Sequence, residues 1–206
     1  MVHERLRKVK RVILSVGHDP KAQGAANAKG QKENPLCSII ANHTAGYLQA
    51  NGVVVWLLPD MTLYETVKYL NIQGNSFMDM AIEIHKDSCG KIYNDQNMKR
   101  RCGLYFAAYS AGAKTIAETM VNVMEQEGAH ETSWVRPDTE SNHERLGFCS
   151  KTKMLALIAE LGFIEGNNDP DECEWYAWAL AQSILTVLDM PIRAIPINMT
   201  TIKPIL

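Results

Sequence analysis

The sequence predicts a single α/β domain with a mostly parallel twisted sheet flanked by helices. Three observations carry that prediction. Short apolar runs bounded by glycine or proline alternate along the chain with longer segments of helical periodicity. Several of those runs are continuous rather than alternating, as in strands buried on both faces. No internal repeat, low-complexity tract or Ser/Gly linker divides the 206 residues, a length that one core can serve.

Residues 11–16 are rich in β-branched side chains and stop at Gly17, which suits a buried strand whose end delivers His18 into a loop. Residues 19–32 hold Gly, Ala, Asn and Lys without an apolar period and read as a long loop, a length more common in functional connections. Asn34 and Pro35 read as N-cap and first position of a helix reaching about Ala50. Its stripe is Leu36, Ile39, Ile40, His43, Tyr47 and Leu48, and Glu33 falls just outside its N-terminus.

Residues 53–58, between Gly52 and Pro59, form a second strand, and Leu63, Val67 and Leu70 follow at helical spacing. In residues 81–85 the alternation sets Glu83 and His85 on one face of a third strand, with His85 near its C-terminal end. Residues 103–109 read as a fourth strand, and 111–126 as a helix closed by Gly128. Residues 155–159 form a further core strand ending at Glu160. Asp169-Pro170 then caps a long helix carrying Trp175, Trp178, Leu185 and Leu188. The domain is expected over residues 1–190. Residues 191–206, with three prolines and five isoleucines in no regular pattern, read as an arm packed on it or extending from it.

Composition narrows the setting. A formal net charge of −2 gives no reason to expect a nucleic-acid partner, and 46% hydrophobic residues is ordinary for a soluble globular chain. Five cysteines, an odd number with no Cys-x-x-Cys spacing, exclude a complete disulfide framework and argue against a cysteine zinc site. They read as buried or free thiols in a protein made in a reducing compartment. The basic segment 1–11 is followed by an apolar run too short for a secretory signal, and residues 175–188 are too short and too polar to span a bilayer.

Four separated polar residues carry the chemistry: His18, Glu33, His85 and Glu160. His18, His85 and Glu160 map to the carboxyl ends of strands, where ligands of α/β sheets collect. Two imidazoles and a carboxylate can hold a zinc ion with one coordination position open, and a further carboxylate is the base that a metal-activated water needs. Singly, each residue also fits a plainer role. The histidines suit hydrogen-bonded strand ends, and Glu33 is an acid favoured near a helix N-terminus. Glu160, entering a core after five apolar residues, needs a partner or a raised pKa. His43 competes as a ligand but lies in its helix's apolar stripe and reads as a core histidine. His3, His130 and His143 lie in polar surroundings. Tyr105, Tyr109, Trp134 and Trp178 fit core packing, or stacking on a sugar ring.

The stretch Gly17-His18-Asp19, then Gly24-Ala25, Gly30 and Glu33, then Ile82-Glu83-Ile84-His85, and finally residues 158–164 with Asn167-Asn168-Asp169, resembles the zinc-dependent N-acetylmuramoyl-L-alanine amidases. That family includes bacterial cell-wall autolysins and phage endolysin catalytic domains. The resemblance runs from about Val12 to Leu188, and Glu160-Leu161-Gly162-Phe163-Ile164 is its most specific part. It implies zinc ligands at His18, Glu33 and His85, a catalytic carboxylate at Glu160, and one zinc ion as cofactor. Peptidoglycan would be the substrate, cut between N-acetylmuramic acid and L-alanine of the stem peptide. Asp19, Glu83 and Asp87 are expected to orient the ligands.

The chain departs from the family pattern at Asp19, at Ser15, along Leu70-Asn71-Ile72-Gln73, and at Lys86-Asp87. These changes bear on substrate preference more than on metal binding. Without an export signal, the expectation is a phage-type endolysin made in the cytoplasm and reaching the wall after holin-type release. The alternatives are a zinc peptidase or other amidohydrolase, whose His-Glu-x-x-His signature is absent, and an inactive wall-binding relative.

Overall fold

The computed structural model describes residues 11–74, 79–90, 95, 97–142 and 145–192. The elements are β1 (Arg11–Val16), α1 (Glu33–Ala50), β2 (Val54–Leu57), α2 (Leu63–Gln73), β3 (Asp79–Asp87), β4 (Cys102–Phe106), α3 (Ala111–Gln126), β5 (Trp134–Pro137), α4 (Gly147–Lys151), β6 (Leu155–Phe163) and α5 (Pro170–Val187). The strands form one sheet in the order β2-β1-β3-β6-β4-β5. All neighbours are parallel except β4 and β6, so the α/β expectation of a mostly parallel sheet is met.

The two faces of the sheet are covered unequally. Val12, Leu14, Ile82, Ile84, Leu157 and Ala159 pack with buried side chains of α1, α3 and α5 into the larger core. On the other face, Ile13, Ala81, Ala156 and Ile158 meet a smaller cluster that includes Leu70 of α2 and Phe148 and Cys149 of α4. Because strand side chains alternate between faces, Ser15, Glu83, His85 and Glu160 all project to this thinly covered side. The ladders align Ser15 with Glu83 and His85 with Glu160.

Several boundaries differ from the sequence reading. Helix α1 begins at Glu33, with Lys32 as N-cap and no side-chain cap bond. Asn34 does not cap it, because its amide instead donates to the carbonyls of Gly17 and His18. Glu33 therefore stands in the first helical turn. The buried stripe of α1 runs through Leu36, Cys37, Ile40, Ala41, Thr44, Ala45 and Leu48, while Ile39 is exposed and His43 and Tyr47 flank the stripe. Strand β6 continues to Phe163, since Glu160 and Leu161 pair with Gly103 and Cys102 of the antiparallel β4. Glu160 is thus inside the strand rather than at its end. Two short elements escaped the pattern: β5, a four-residue edge strand ending in proline, and α4, a helix of five residues that is too short to show a period.

Asp169 and Pro170 start α5 as expected; the Asp169 carboxylate accepts from the Glu172 amide at 2.8 Å. All five cysteines are free, four of them buried and Cys89 exposed. The arm expected over residues 191–206 lies outside the described residues except for Pro191 and Ile192, and His3 and His143 lie outside them too.

Candidate metal centre

The backbone delivers each donor. Past the end of β1, the Gly17 amide still donates to the Ile84 carbonyl at 2.8 Å, holding the chain against β3. His18 then adopts a left-handed conformation, φ 65°, and the chain turns away from the sheet. The long loop that follows is built, not slack. The Asp19 carboxylate accepts from the amides of Lys21 and Ala22, and Asn27 accepts from the amides of Lys29 and Gln31 while donating to the Ile164 carbonyl at 3.0 Å. The Glu33 amide closes the loop on the Ala25 carbonyl.

Glu33 is the hub. One carboxylate oxygen lies 3.1 Å from His18 Nε2 and accepts from the Ala25 amide, and the other lies 3.0 Å from His85 Nδ1 and accepts from the Lys86 amide. Burial alone would raise the Glu33 pKa, but the hydrogen bonds and charges of both histidines outweigh it and hold the carboxyl far below its usual range. His85 is opposed by burial in the same way, yet Glu33 and Glu83 raise its pKa well above the usual imidazole value. The rings of His18 and His85 meet edge to face, 5.2 Å between centroids.

Two glycines make this convergence possible. A Cβ on Gly17 would overlap the His85 ring, and one on Gly24, which holds φ 73°, would overlap the Glu33 carboxylate and the His18 ring. Any larger residue at either position displaces a donor. The sequence reading marks Gly17 as the end of a strand and Gly24 as a point of family resemblance, and neither role anticipates this crowding. It also missed the amides of Ala25 and Lys86, because backbone donors leave no trace in a side-chain motif.

Glu160 neighbours His85 across the β3–β6 ladder, partly exposed and without a hydrogen-bond partner among the described residues. Burial pushes its carboxyl up to about 7. His85 and His18 pull it down, and Asp87 and Glu33 add to the rise. Of the expected orienting residues, Glu83 lies 3.1 Å from His85 Nε2. Asp87 instead pairs with Arg101 at 3.1 Å, and Asp19 serves its own turn. His43 stays out of the centre. Among the described residues, His18, Glu33 and His85 form the one group of three or more His, Cys, Asp or Glu side chains whose ligand atoms all lie within 4.8 Å of one another. Two imidazole nitrogens and a carboxylate suit a divalent metal ion, and a neighbouring unpaired carboxylate can exchange protons.

The sequence model of the N-acetylmuramoyl-L-alanine amidases matches residues 12–189. The chain belongs to this family. No curated protein matches it by sequence. Among solved structures, the AmiC2 amidase of Nostoc punctiforme superposes with a TM-score of 0.70 at 20% identity, over 88% of this chain and 98% of the other. The catalytic domain of the CwlV amidase from Bacillus (Paenibacillus) polymyxa var. colistinus gives 0.68 at 19% identity, over 89% and 100%. The catalytic domain of the CD27L endolysin, which targets Clostridia difficile, gives 0.66 at 15% identity, over 86% and 97%. At such identities the likeness speaks for the amidase fold, and the family match speaks for the enzyme class. No helix among the described residues is long and apolar enough to cross a membrane.

Proposed function

We propose that this amidase is a zinc-dependent peptidoglycan hydrolase that cleaves the amide between the lactyl group of N-acetylmuramic acid and L-alanine of the stem peptide. The observation carrying this reading is the Glu160 carboxylate, without a hydrogen-bond partner among the described residues, in register with His85 and beside the His18–Glu33–His85 donor set. The donors fit zinc. Two imidazole nitrogens and a carboxylate oxygen are donor types that zinc takes. One ligand atom from each of the three side chains can be chosen so that all lie within 4.8 Å of one another.

His18, Glu33 and His85 would hold the zinc, which when bound would supply Lewis acidity toward the scissile carbonyl and a water. Glu160 accepts the proton of the attacking water. A carboxyl with a pKa near neutrality then returns that proton to the leaving L-alanine amine. The amides of Ala25 and Lys86 keep the Glu33 carboxylate aimed between the two imidazoles.

The setting we propose is a phage-type endolysin that reaches the wall after holin-type release, in keeping with the endolysin domain among the fold relatives. Lysis of a susceptible host on co-expression with a holin, and none without it, checks the setting. The reaction is tested by mass spectrometry of purified peptidoglycan incubated with the protein plus zinc, with a chelator, and with Glu160→Gln. Zinc-dependent release of intact stem peptides bearing a free L-alanine amine, lost in the variant, is the expected result. Cuts inside the peptide would mean a peptidase, and bound zinc without any cleavage would mean a wall-binding relative.

A further inference from the structure

Glu83 is a buried carboxylate that the proposed reaction does not use. It lies on β3 two residues before His85, on the same face, flanked in the ladders by Ser15 and Ile158. Its surroundings include Ile158 and Cys149 of the smaller core. A carboxylate in such a place is unfavourable unless a donor answers it. Among the described residues its hydrogen-bonding contact is one: Oε2 lies 3.1 Å from His85 Nε2. The opposite ring nitrogen, Nδ1, faces Glu33 and through it His18.

We propose that Glu83 is the positioning residue for His85, fixing both the rotation and the tautomer of its ring. A neutral imidazole carries one proton, and a histidine that ligates through one nitrogen presents that proton on the other. By accepting from Nε2–H, Glu83 keeps the proton on the far side and leaves the Nδ1 lone pair directed at the donor set. With a metal ion held at Nδ1, the Nε2–H bond to Glu83 would remain. Lys86, next in the chain, points to the other face, where its ammonium donates to the Leu161 carbonyl and lies over the Tyr176 ring. The strand is thus pinned on both sides of His85.

This inference rests on the metal reading above but not on the wall chemistry. Its test uses zinc alone, titrated in competition with a chromophoric chelator, on the wild type, Glu83→Leu and Glu83→Gln. Histidine ¹⁵N NMR of the zinc-loaded wild type supplies the tautomer. Glu83→Leu is expected to weaken zinc binding roughly 10- to 100-fold. Glu83→Gln, whose carbonyl oxygen can accept the same hydrogen bond, recovers most of that loss, and His85 is protonated at Nε2. Unchanged zinc affinity in Glu83→Leu, or His85 ligating through Nε2, overturns the proposal. So does a Gln variant as weak as the Leu variant, which would place the carboxylate on the metal itself. Should Glu83→Leu fail to fold, the Gln affinity and the wild-type tautomer decide. A chain that bound zinc in this way yet cut no peptidoglycan would refute the proposed reaction and leave the role of Glu83 intact.

Discussion

Glu160 and His85 are partners in the parallel β3–β6 ladder, and both project from the thinly covered face of the sheet. Adjacent strands stand about 4.8 Å apart, so the carboxylate is held beside the imidazole by the backbone itself. Replacing Glu160 with Gln keeps the shape and removes the proton acceptor. Turnover on peptidoglycan is expected to fall by roughly 10²–10⁴-fold while zinc content stays at the wild-type level. Parallel measurement of rate and bound zinc checks this, and loss of zinc in the variant would assign Glu160 to the ligand set.

The same residue makes stability depend on pH. Its carboxyl is raised from 4.5 to about 7 in the folded chain, so its contribution is fully present below 4.5 and lost as pH rises through 7. Partial exposure to the cleft trims the effect to on the order of 2 kcal/mol. Zinc-stripped Glu160→Gln should therefore melt close to the wild type at pH 4.5 and clearly above it at pH 8. Equal melting temperatures at pH 8 would show that Glu160 ionises there without cost.

Zinc binding itself should weaken in acid. His85 must shed a proton to ligate, and its pKa is raised by Glu33 and Glu83 against the effect of burial. Below that raised value, each pH unit is expected to weaken binding about tenfold for the His85 proton alone. Competition titrations at pH 8, 7 and 6 measure the slope, and a flat profile would remove His85 from the ligand set.

Gly24 has little room to change. An added Cβ meets the Glu33 carboxylate and the His18 ring, and the left-handed backbone adds strain of about 1–2 kcal/mol for any other residue. Gly24→Ala should lower zinc affinity at least tenfold while far-ultraviolet circular dichroism stays native, because the loop lies outside the core. Wild-type affinity in this variant would mean that the loop relaxes freely.

Asn27 anchors that loop to the turn after β6 through its bond to the Ile164 carbonyl, and it organises Lys29 and Gln31. Asn27→Ala leaves that buried carbonyl with one fewer donor, since the Asn168 amide still serves it. A loss of about 1 kcal/mol in chemical denaturation is expected, together with weaker zinc binding. Stability loss with unchanged zinc affinity would separate the anchor from the metal centre.

Much of this protein was determined by its sequence alone. The apolar runs at 11–16 and 155–159 must be buried wherever their neighbours lie, and the alternation in 81–85 puts Glu83 and His85 on one strand face without knowledge of the sheet. The start of α5 was equally legible, because Asp169 satisfies the amide three positions ahead. The metal donors were legible as residue types at a family's spacing. Only the tertiary structure decided how they meet. Glu33 and His85 are 52 positions apart, and nothing local records that their side chains touch. The reversal of β4, which carries β6 past Glu160, depends on a partner strand. So does the crowding that restricts Gly17 and Gly24, and so does the thin cover that leaves one face of the sheet open. Local propensity acts over a few residues, whereas pairing, crowding and uneven cover exist only once distant segments are packed together.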